Sequence, residues 1–313
     1  MFEKVDALII KTPDENFFYF TKLEGFYENS YAIVFPNKVI TIAPHLEEKA
    51  DYFYKNKEEL EKILKDVAKV DKLGINGEAL PYKDYVYLKK LLKTKLIDVS
   101  QEIKKLRVVK KPDEINLIRK AYRISNKVVN QLELESKTEK EVAKEIEMTM
   151  IKNNAKLAFE PIVAFGKNSA FPHHIPSNKK FVLPALIDLG AKYKGYCSDI
   201  TKTFVDKKGK KVYGVVEEAL YMAIDEMAEG TKAKEVYELV EKFFTKHGYK
   251  MLHGLGHSIG INVHDGYALN KKADFVLKEN MVFAVEPAIY TKSFGVRIEE
   301  DIVVGKRKGK MML

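Results

Sequence analysis

Four carboxylates stand in two β-like runs that each fold back on themselves. Asp188 and Asp199 lie in Pro184-Ala-Leu-Ile-Asp188-Leu-Gly190-Ala-Lys-Tyr193-Lys194-Gly195-Tyr-Cys197-Ser-Asp199-Ile-Thr201-Lys-Thr203-Phe204, where Tyr193 to Gly195 reads as a tight hairpin turn. A turn centred between Tyr193 and Lys194 sets the two aspartates directly opposite, each five residues from the centre. Downstream, Met281-Val-Phe-Ala-Val-Glu286-Pro-Ala-Ile-Tyr290 and Phe294-Gly-Val296-Arg297-Ile298-Glu299-Glu300-Asp301-Ile302-Val303-Val304 form a second hairpin about Lys292-Ser293. Glu286 and Glu299 then stand opposite, each six residues from that centre. Strand alternation selects Glu299 over Glu300, because position 300 shares a face with Val296, Ile298, Ile302 and Val304.

Like charges placed opposite one another repel, and burying them unpaired costs far more. A divalent cation removes the conflict, since hard cations gather anionic oxygens at about 2.0–2.6 Å. A histidine segment, Leu252-His253-Gly-Leu-Gly-His257-Ser-Ile-Gly-Ile-Asn-Val-His264-Asp265-Gly266, precedes the second hairpin. Four carboxylates and a histidine make a mostly oxygen site, which suits two Mn, Co, Fe or Zn ions better than a structural zinc. Two divalent ions neutralise four anionic charges, and such a pair generates a nucleophile from water at neutral pH. One acidic hairpin alone is usually just solvated. Two of them with the histidine segment point to a metal centre.

The elements that must position these groups repeat. Pro112 sits at the first turn of a helix whose Ile115, Ile118, Tyr122, Ser125, Val129 and Leu132 share one face. Thr138-Glu-Lys-Glu141 is a capping box opening a helix through Met150. Phe159 to His174 reads as extended and loop-rich, and the aspartate hairpin follows. Helices over Lys210–Met227 and Ala233–His247, the latter closed by Gly248, precede the second histidine segment and hairpin. Helix, helix, histidine segment, acidic hairpin, twice over, predicts a pseudo-twofold domain with the hairpins meeting at its axis. Upstream, residues 1–106 read as a smaller mixed α/β domain. Its strands are Val5–Ile10, Phe17–Phe20, Tyr31–Phe35, Val39–Ala43, Leu73–Asn76 and Lys95–Val99, and its helices Leu46–Val67 and Tyr82–Leu92. The solitary His45 reads as a surface or core residue. Lys104-Lys-Leu-Arg-Val-Val-Lys-Lys111 reads as the linker to the second domain, residues 107–313.

Composition fits this plan: 313 residues, 46% hydrophobic and 32% charged. The net charge of +9 comes almost entirely from lysines interleaved with glutamates. Arginine, the usual reader of base edges, occurs only at 107, 119, 123, 297 and 307, so nucleic acid is not the expected partner. No apolar run approaches the roughly 20 residues of a membrane span, and the N-terminus lacks a signal-peptide apolar block. Cys197 is the only cysteine. These features lead us to expect a cytoplasmic enzyme with no membrane partner.

The blocks Leu186-Ile-Asp-Leu-Gly-Ala191, Tyr196-Cys-Ser-Asp-Ile-Thr-Lys-Thr-Phe204, His253-Gly-Leu-Gly-His-Ser-Ile-Gly260, Val285-Glu-Pro-Ala-Ile-Tyr290 and Gly295-Val-Arg-Ile-Glu299 resemble the pita-bread metallopeptidases. That family includes prolidase, aminopeptidase P, methionine aminopeptidase and creatinase. The resemblance implies an α+β pita-bread fold with pseudo-twofold symmetry, preceded by a creatinase-like N-terminal domain of the prolidase and aminopeptidase P branch. It implies two divalent ions per chain, manganese or cobalt ahead of zinc or iron. Asp188 would chelate one ion, His257 and Glu286 the other, and Asp199 and Glu299 would bridge. Glu286 would also carry the proton from water towards the leaving amine. His173 would contact substrate near the scissile bond, His264 would steady the tetrahedral intermediate, and Arg297 would hold carboxylate geometry. His174 and His253 read as loop-packing or rim residues. Short proline-containing peptides would be the substrates, cleaved at Xaa-Pro bonds, and the chain would form a homodimer. One departure concerns Val263-His-Asp-Gly-Tyr267, where the family usually has Val-His-Glu and a proline-containing turn. Tyr267 offers a flat wall for a proline ring, whereas Gly266 would loosen that wall. A catalytically inactive binding module of the same fold and a methionine aminopeptidase-like specificity stand as alternatives. Five costly ligand groups kept together weigh against the first, and the N-terminal domain weighs against the second.

Overall fold

A computed structural model describes all residues from Met1 to Leu313, which fall into two compact units, Met1–Leu106 and Arg107–Leu313. No helix is long and apolar enough to cross a membrane.

The first unit holds β1 (Ala7–Lys11), α1 (Asn16–Thr21), β2 (Tyr31–Val34), β3 (Val39–Pro44), β4 (Tyr52–Tyr54), α2 (Lys57–Val67), β5 (Lys72–Ile75), α3 (Tyr82–Leu92), β6 (Lys95–Asp98) and the start of α4 (Ser100–Val108). Its strands form one six-stranded sheet in the order β4-β3-β2-β1-β5-β6. Alternation along β1 explains the two cores. Ala7 and Ile9 pack with Leu60, Leu64 and Leu88 of α2 and α3, while Leu8 and Ile10 pack with Phe17 and Ile103 of α1 and α4.

Two expectations fail here. Phe17–Phe20 is helical rather than a strand. Asp14 Oδ1 accepts the Asn16 N–H at 2.9 Å and turns the chain, so Phe17 reaches the core as part of a helix. The helix expected from Leu46 starts only at Lys57, where the Asn56 side chain accepts the Glu59 N–H. Before it, Asp51 accepts both the N–H and the hydroxyl of Thr41 at 2.7 Å, docking Tyr52–Tyr54 beside β3 as a parallel edge strand.

The second unit opens with α5 (Pro112–Gln131) and α6 (Glu139–Lys152), the latter closed at its start by the Thr138/Glu141 capping box. The expected linker is shorter than its charge run suggests, because α4 continues through Val108. After α6 come β7 (Lys156–Leu157), β8 (Ile162–Phe165), a 3-10 turn (Gly166–Ala170), β9 (Ala185–Leu189), β10 (Ala191–Tyr193), β11 (Tyr196–Cys197) and β12 (Ile200–Phe204). The second half supplies α7 (Lys210–Glu226), α8 (Ala233–Lys246), β13 (Gly256–Ser258), β14 (Ala268–Leu269), β15 (Val282–Val285), β16 (Ala288–Tyr290), β17 (Gly295–Arg297), β18 (Glu300–Val303) and β19 (Lys310–Met311).

The halves match in their central strands: β8-β9-β12 corresponds to β13-β15-β18, and the ribbon β10-β11 to β16-β17, while β7, β14 and β19 are additions at the edges. They meet where Thr201 and Glu299 exchange backbone hydrogen bonds of 3.3 and 3.1 Å. Beside that bridge, the Thr203 hydroxyl donates to the Arg297 carbonyl and accepts from the Arg297 N–H.

Register decides which carboxylates face one another. In the second hairpin Val285 pairs with Glu300 and Ala288 with Arg297, the register expected, with Glu286 and Glu299 opposite between them. The first hairpin differs by two residues: Asp188 pairs with Thr201, not Asp199. Its turn is Lys194-Gly195, with φ of 45° and 78°, a two-residue I′-type reversal that the glycine makes accessible.

Candidate active site

A cavity of about 680 Å³ opens where the two hairpins meet. Asp188, Asp199, His257, Glu286 and Glu299 all line it, together with His173, His264 and Arg297, so every proposed site residue is brought to one place. Asp188, Asp199, His257 and Glu299 are buried.

The carboxylates are crowded and short of partners. Candidate ligand atoms of Asp199, His257 and Glu299 lie within 4.8 Å of one another. One oxygen each of Asp188, Asp199 and Asp301 is buried with no hydrogen-bond partner. Burial raises the pKa of Asp199 well above its ordinary value, and Glu299, Asp188 and Asp301 add to the effect. Glu299 is raised by burial and by Glu286 and Asp188, and Glu286 reaches about 7 through burial despite Arg297. Such a cluster is unstable as anions alone and is complete with bound cations, which replace the missing partners.

The histidine is prepared as a ligand. His257 Nδ1 lies 3.0 Å from the Val263 carbonyl, which can only accept, so Nδ1 carries the proton. Nε2 is therefore a lone pair, 3.6 Å from Asp199 and 3.9 Å from Glu286. Burial, then the neighbouring His264, lowers its pKa to about 4, which keeps the ring neutral. His264 stacks on His257 with centroids 3.9 Å apart and is itself solvent-accessible, as is His173.

Arg297 ties the hairpins together. It donates to Asp188 Oδ2 at 2.6 Å, the Tyr290 hydroxyl at 2.7 Å, the Thr201 hydroxyl at 3.1 Å and the Pro172 carbonyl at 3.3 Å. Thr201 in turn donates to Glu299 Oε2 at 2.6 Å. Burial works against the guanidinium charge, but Asp188 and the other acids hold it protonated.

Several participants escaped the sequence reading. Thr201 and Tyr290 carry no signal of their own, although both lie in the motif blocks. Asp301 shares the face of Glu299, and its Oδ2 accepts the Asp199 N–H at 3.2 Å, so strand alternation held the clue. His253 lines the cavity, 3.8 Å from Glu286, which is the rim position of the two readings offered for it. His174 does pack its loop, against Glu139.

Of the two readings of this turn, the one with Tyr267 as a wall fails, since Tyr267 does not line the cavity. Its ring lies edge-on to Phe275 at 4.6 Å in the core, and Phe159, Ile162, Pro172, Val263 and Ala268 supply the apolar surface instead. Asp265 turns away from the cavity and is gripped by Arg107 and by Lys110, the latter at 3.0 Å. Gly260 makes that possible, because a Cβ there would collide with the Asp265 carboxylate.

Buried carboxylates lacking partners beside a neutral histidine, on a twofold-repeated α+β domain, define a divalent-metal hydrolase of the pita-bread fold. Residues 116–306 match metallopeptidase family M24, and residues 3–109 match the creatinase/prolidase N-terminal domain. The chain belongs to metallopeptidase family M24, a membership that implies a divalent metal cofactor. It is 34% identical to the Xaa-Pro dipeptidase of Pyrococcus horikoshii, over 98% of this chain and 92% of that protein. It is 41% identical to an uncharacterized peptidase of Methanocaldococcus jannaschii, a match spanning 67% of this chain and 65% of that relative's length. The crystal structure of the X-Pro aminopeptidase from Thermotoga maritima superposes with a TM-score of 0.89 at 30% identity, covering 98% of this chain and 95% of that one.

Proposed function

We propose that the chain hydrolyses Xaa-Pro bonds, in dipeptides or at the N-terminus of short peptides, with two divalent ions held by Asp188, Asp199, His257, Glu286 and Glu299. The observation that carries this reading is the cluster of buried carboxylate oxygens without partners around a lone-pair nitrogen. A divalent cation there acts as a Lewis acid on a carbonyl and makes water a nucleophile near neutral pH.

The remaining steps belong to side chains. Glu286 takes a proton from water on its carboxylate and passes it to the leaving amine. His264 donates to the oxygen on which negative charge develops, and His173 positions the peptide. Arg297 holds Asp188 in place and fixes Tyr290 and Thr201 around it. The Xaa-Pro peptide is a tertiary amide without an N–H, so recognition must come from shape. Phe159, Ile162, Pro172 and Val263 supply apolar surface for the pyrrolidine ring.

Manganese or cobalt are the metals this mostly oxygen donor set favours. A homodimer follows from the family resemblance, and a cytoplasmic setting suits the single, buried, free cysteine. Hydrolysis of matched Xaa-Pro and Xaa-Ala dipeptides tests the specificity. Apolar shape discrimination predicts roughly tenfold to two-hundredfold faster cleavage before proline. Equal rates, or faster cleavage before alanine, would overturn the proline preference.

A further inference from the structure

One buried carboxylate holds both ends of the segment that carries His173. Glu139, the first residue of α6, is fully buried. Its Oε1 accepts from the Phe165 N–H at 2.7 Å and from the Asn168 side-chain amide at 2.9 Å. Its Oε2 accepts from the Ser177 N–H at 2.9 Å and the Ser177 hydroxyl at 2.6 Å, and lies 2.8 Å from His174 Nε2. A carboxylate accepts only, so His174 Nε2 is the protonated nitrogen.

These bonds grip positions 165, 168, 174 and 177, on both sides of His173, while His173 itself lines the cavity. Burial works against the Glu139 charge. The hydrogen bonds from Ser177, Phe165 and His174 outweigh it and hold the pKa below the ordinary value. The opposite side of the segment is tied to the glutamate hairpin. There the Gly295 N–H donates to the Ser169 hydroxyl at 3.0 Å, and Arg297 donates to the Pro172 carbonyl. Two anchors therefore frame one solvent-accessible histidine.

We propose that Glu139 is a positioning residue for His173, acting through His174, Asn168 and Ser177 to fix the loop that aims His173 at the substrate. The proposal rests on the role given to His173 above. Glutamine at 139 keeps the size but turns an acceptor into a donor facing other donors, so the loop loosens without a cavity.

The test is a double-mutant cycle of Glu139→Gln and His173→Ala in the manganese-loaded enzyme, with metal content measured for each protein. Glu139→Gln should lower kcat roughly tenfold to hundredfold with metal content unchanged. The double variant should be no slower than His173→Ala alone. In metal-free protein, the slowly exchanging NMR signal of the His174 Nε2 proton should vanish in Glu139→Gln. Losses that multiply in the double variant would overturn the positioning role while leaving His173 its own. A His173→Ala enzyme as fast as the parent would overturn the role of His173 first, and the inference with it. Should Glu139→Gln fold poorly, Asn168→Ala removes one of the bonds and enters the same cycle, with the same outcomes expected and the same one decisive against it.

Discussion

The two acidic hairpins do the same work by different means. The glutamate hairpin turns through Thr291–Phe294 and keeps one register from its tip to its base, with both carboxylates at the break between its two ladders. The aspartate hairpin turns more tightly, at Lys194-Gly195, and places Asp188 inside the β9 ladder opposite Thr201. Only Asp199 sits at a break, between β11 and β12. The cation that steadies Asp188 is Arg297, which the glutamate hairpin supplies. Neither half is therefore a complete site, and the bridge between Thr201 and Glu299 joins them. The difference also shows why a register error did no harm. Side chains alternate with a period of two, so a two-residue shift leaves Asp188 and Asp199 on the same face, whereas a one-residue slip would have sent one of them away.

The largest effect is expected from the position shared between the hairpins. Asp199→Asn should reduce turnover by roughly 10³-fold or more and lower metal content from about two ions towards one or none, with the fold intact by circular dichroism. Full metal occupancy with retained turnover would remove Asp199 from the centre and leave Asp188 as the aspartate hairpin's only contribution to it.

A smaller effect separates the two stacked histidines of the second half. His264→Ala should slow turnover roughly 10²–10³-fold with metal content unchanged, because the role proposed for this ring is to meet substrate. His257→Ala should lose metal. If both variants lost metal equally, the division of labour between the stacked rings would be wrong.

The mildest effect concerns stability without metal. Burial pushes the Glu286 carboxyl up to about 7 in the folded metal-free chain, against the ordinary 4.5 of a glutamate in the unfolded one, so the folded state holds an extra proton between those values. Stability of metal-free protein should therefore fall as pH rises through that window, with Glu286 contributing on the order of 3 kcal/mol. Denaturant melts of the metal-free protein at pH 5 and 7.5 should show the decline, and Glu286→Gln should flatten it. An unchanged slope in that variant would show that the second hairpin tolerates its charge unaided.

Much of this molecule was legible in its sequence. Caps and periodicity marked α3, α5, α6, α7 and α8, and alternation chose Glu299 over Glu300. The failures have local causes. Phe17–Phe20 has strand-forming side chains, but Asp14 and the core below impose a helix. The Lys104–Lys111 run reads as a linker, yet Arg107 and Lys110 are buried on Asp265. Asp265 and Glu139 were opaque for the same reason: their partners are distant in sequence, and a lone acidic residue does not announce a buried hub.

Metal dependence tests the central claim most directly. Protein stripped by chelation should be inactive on an Xaa-Pro dipeptide, and titration with manganese or cobalt should restore hydrolysis with an endpoint near two ions per chain. Undiminished hydrolysis by protein shown to be metal-free would contradict the account.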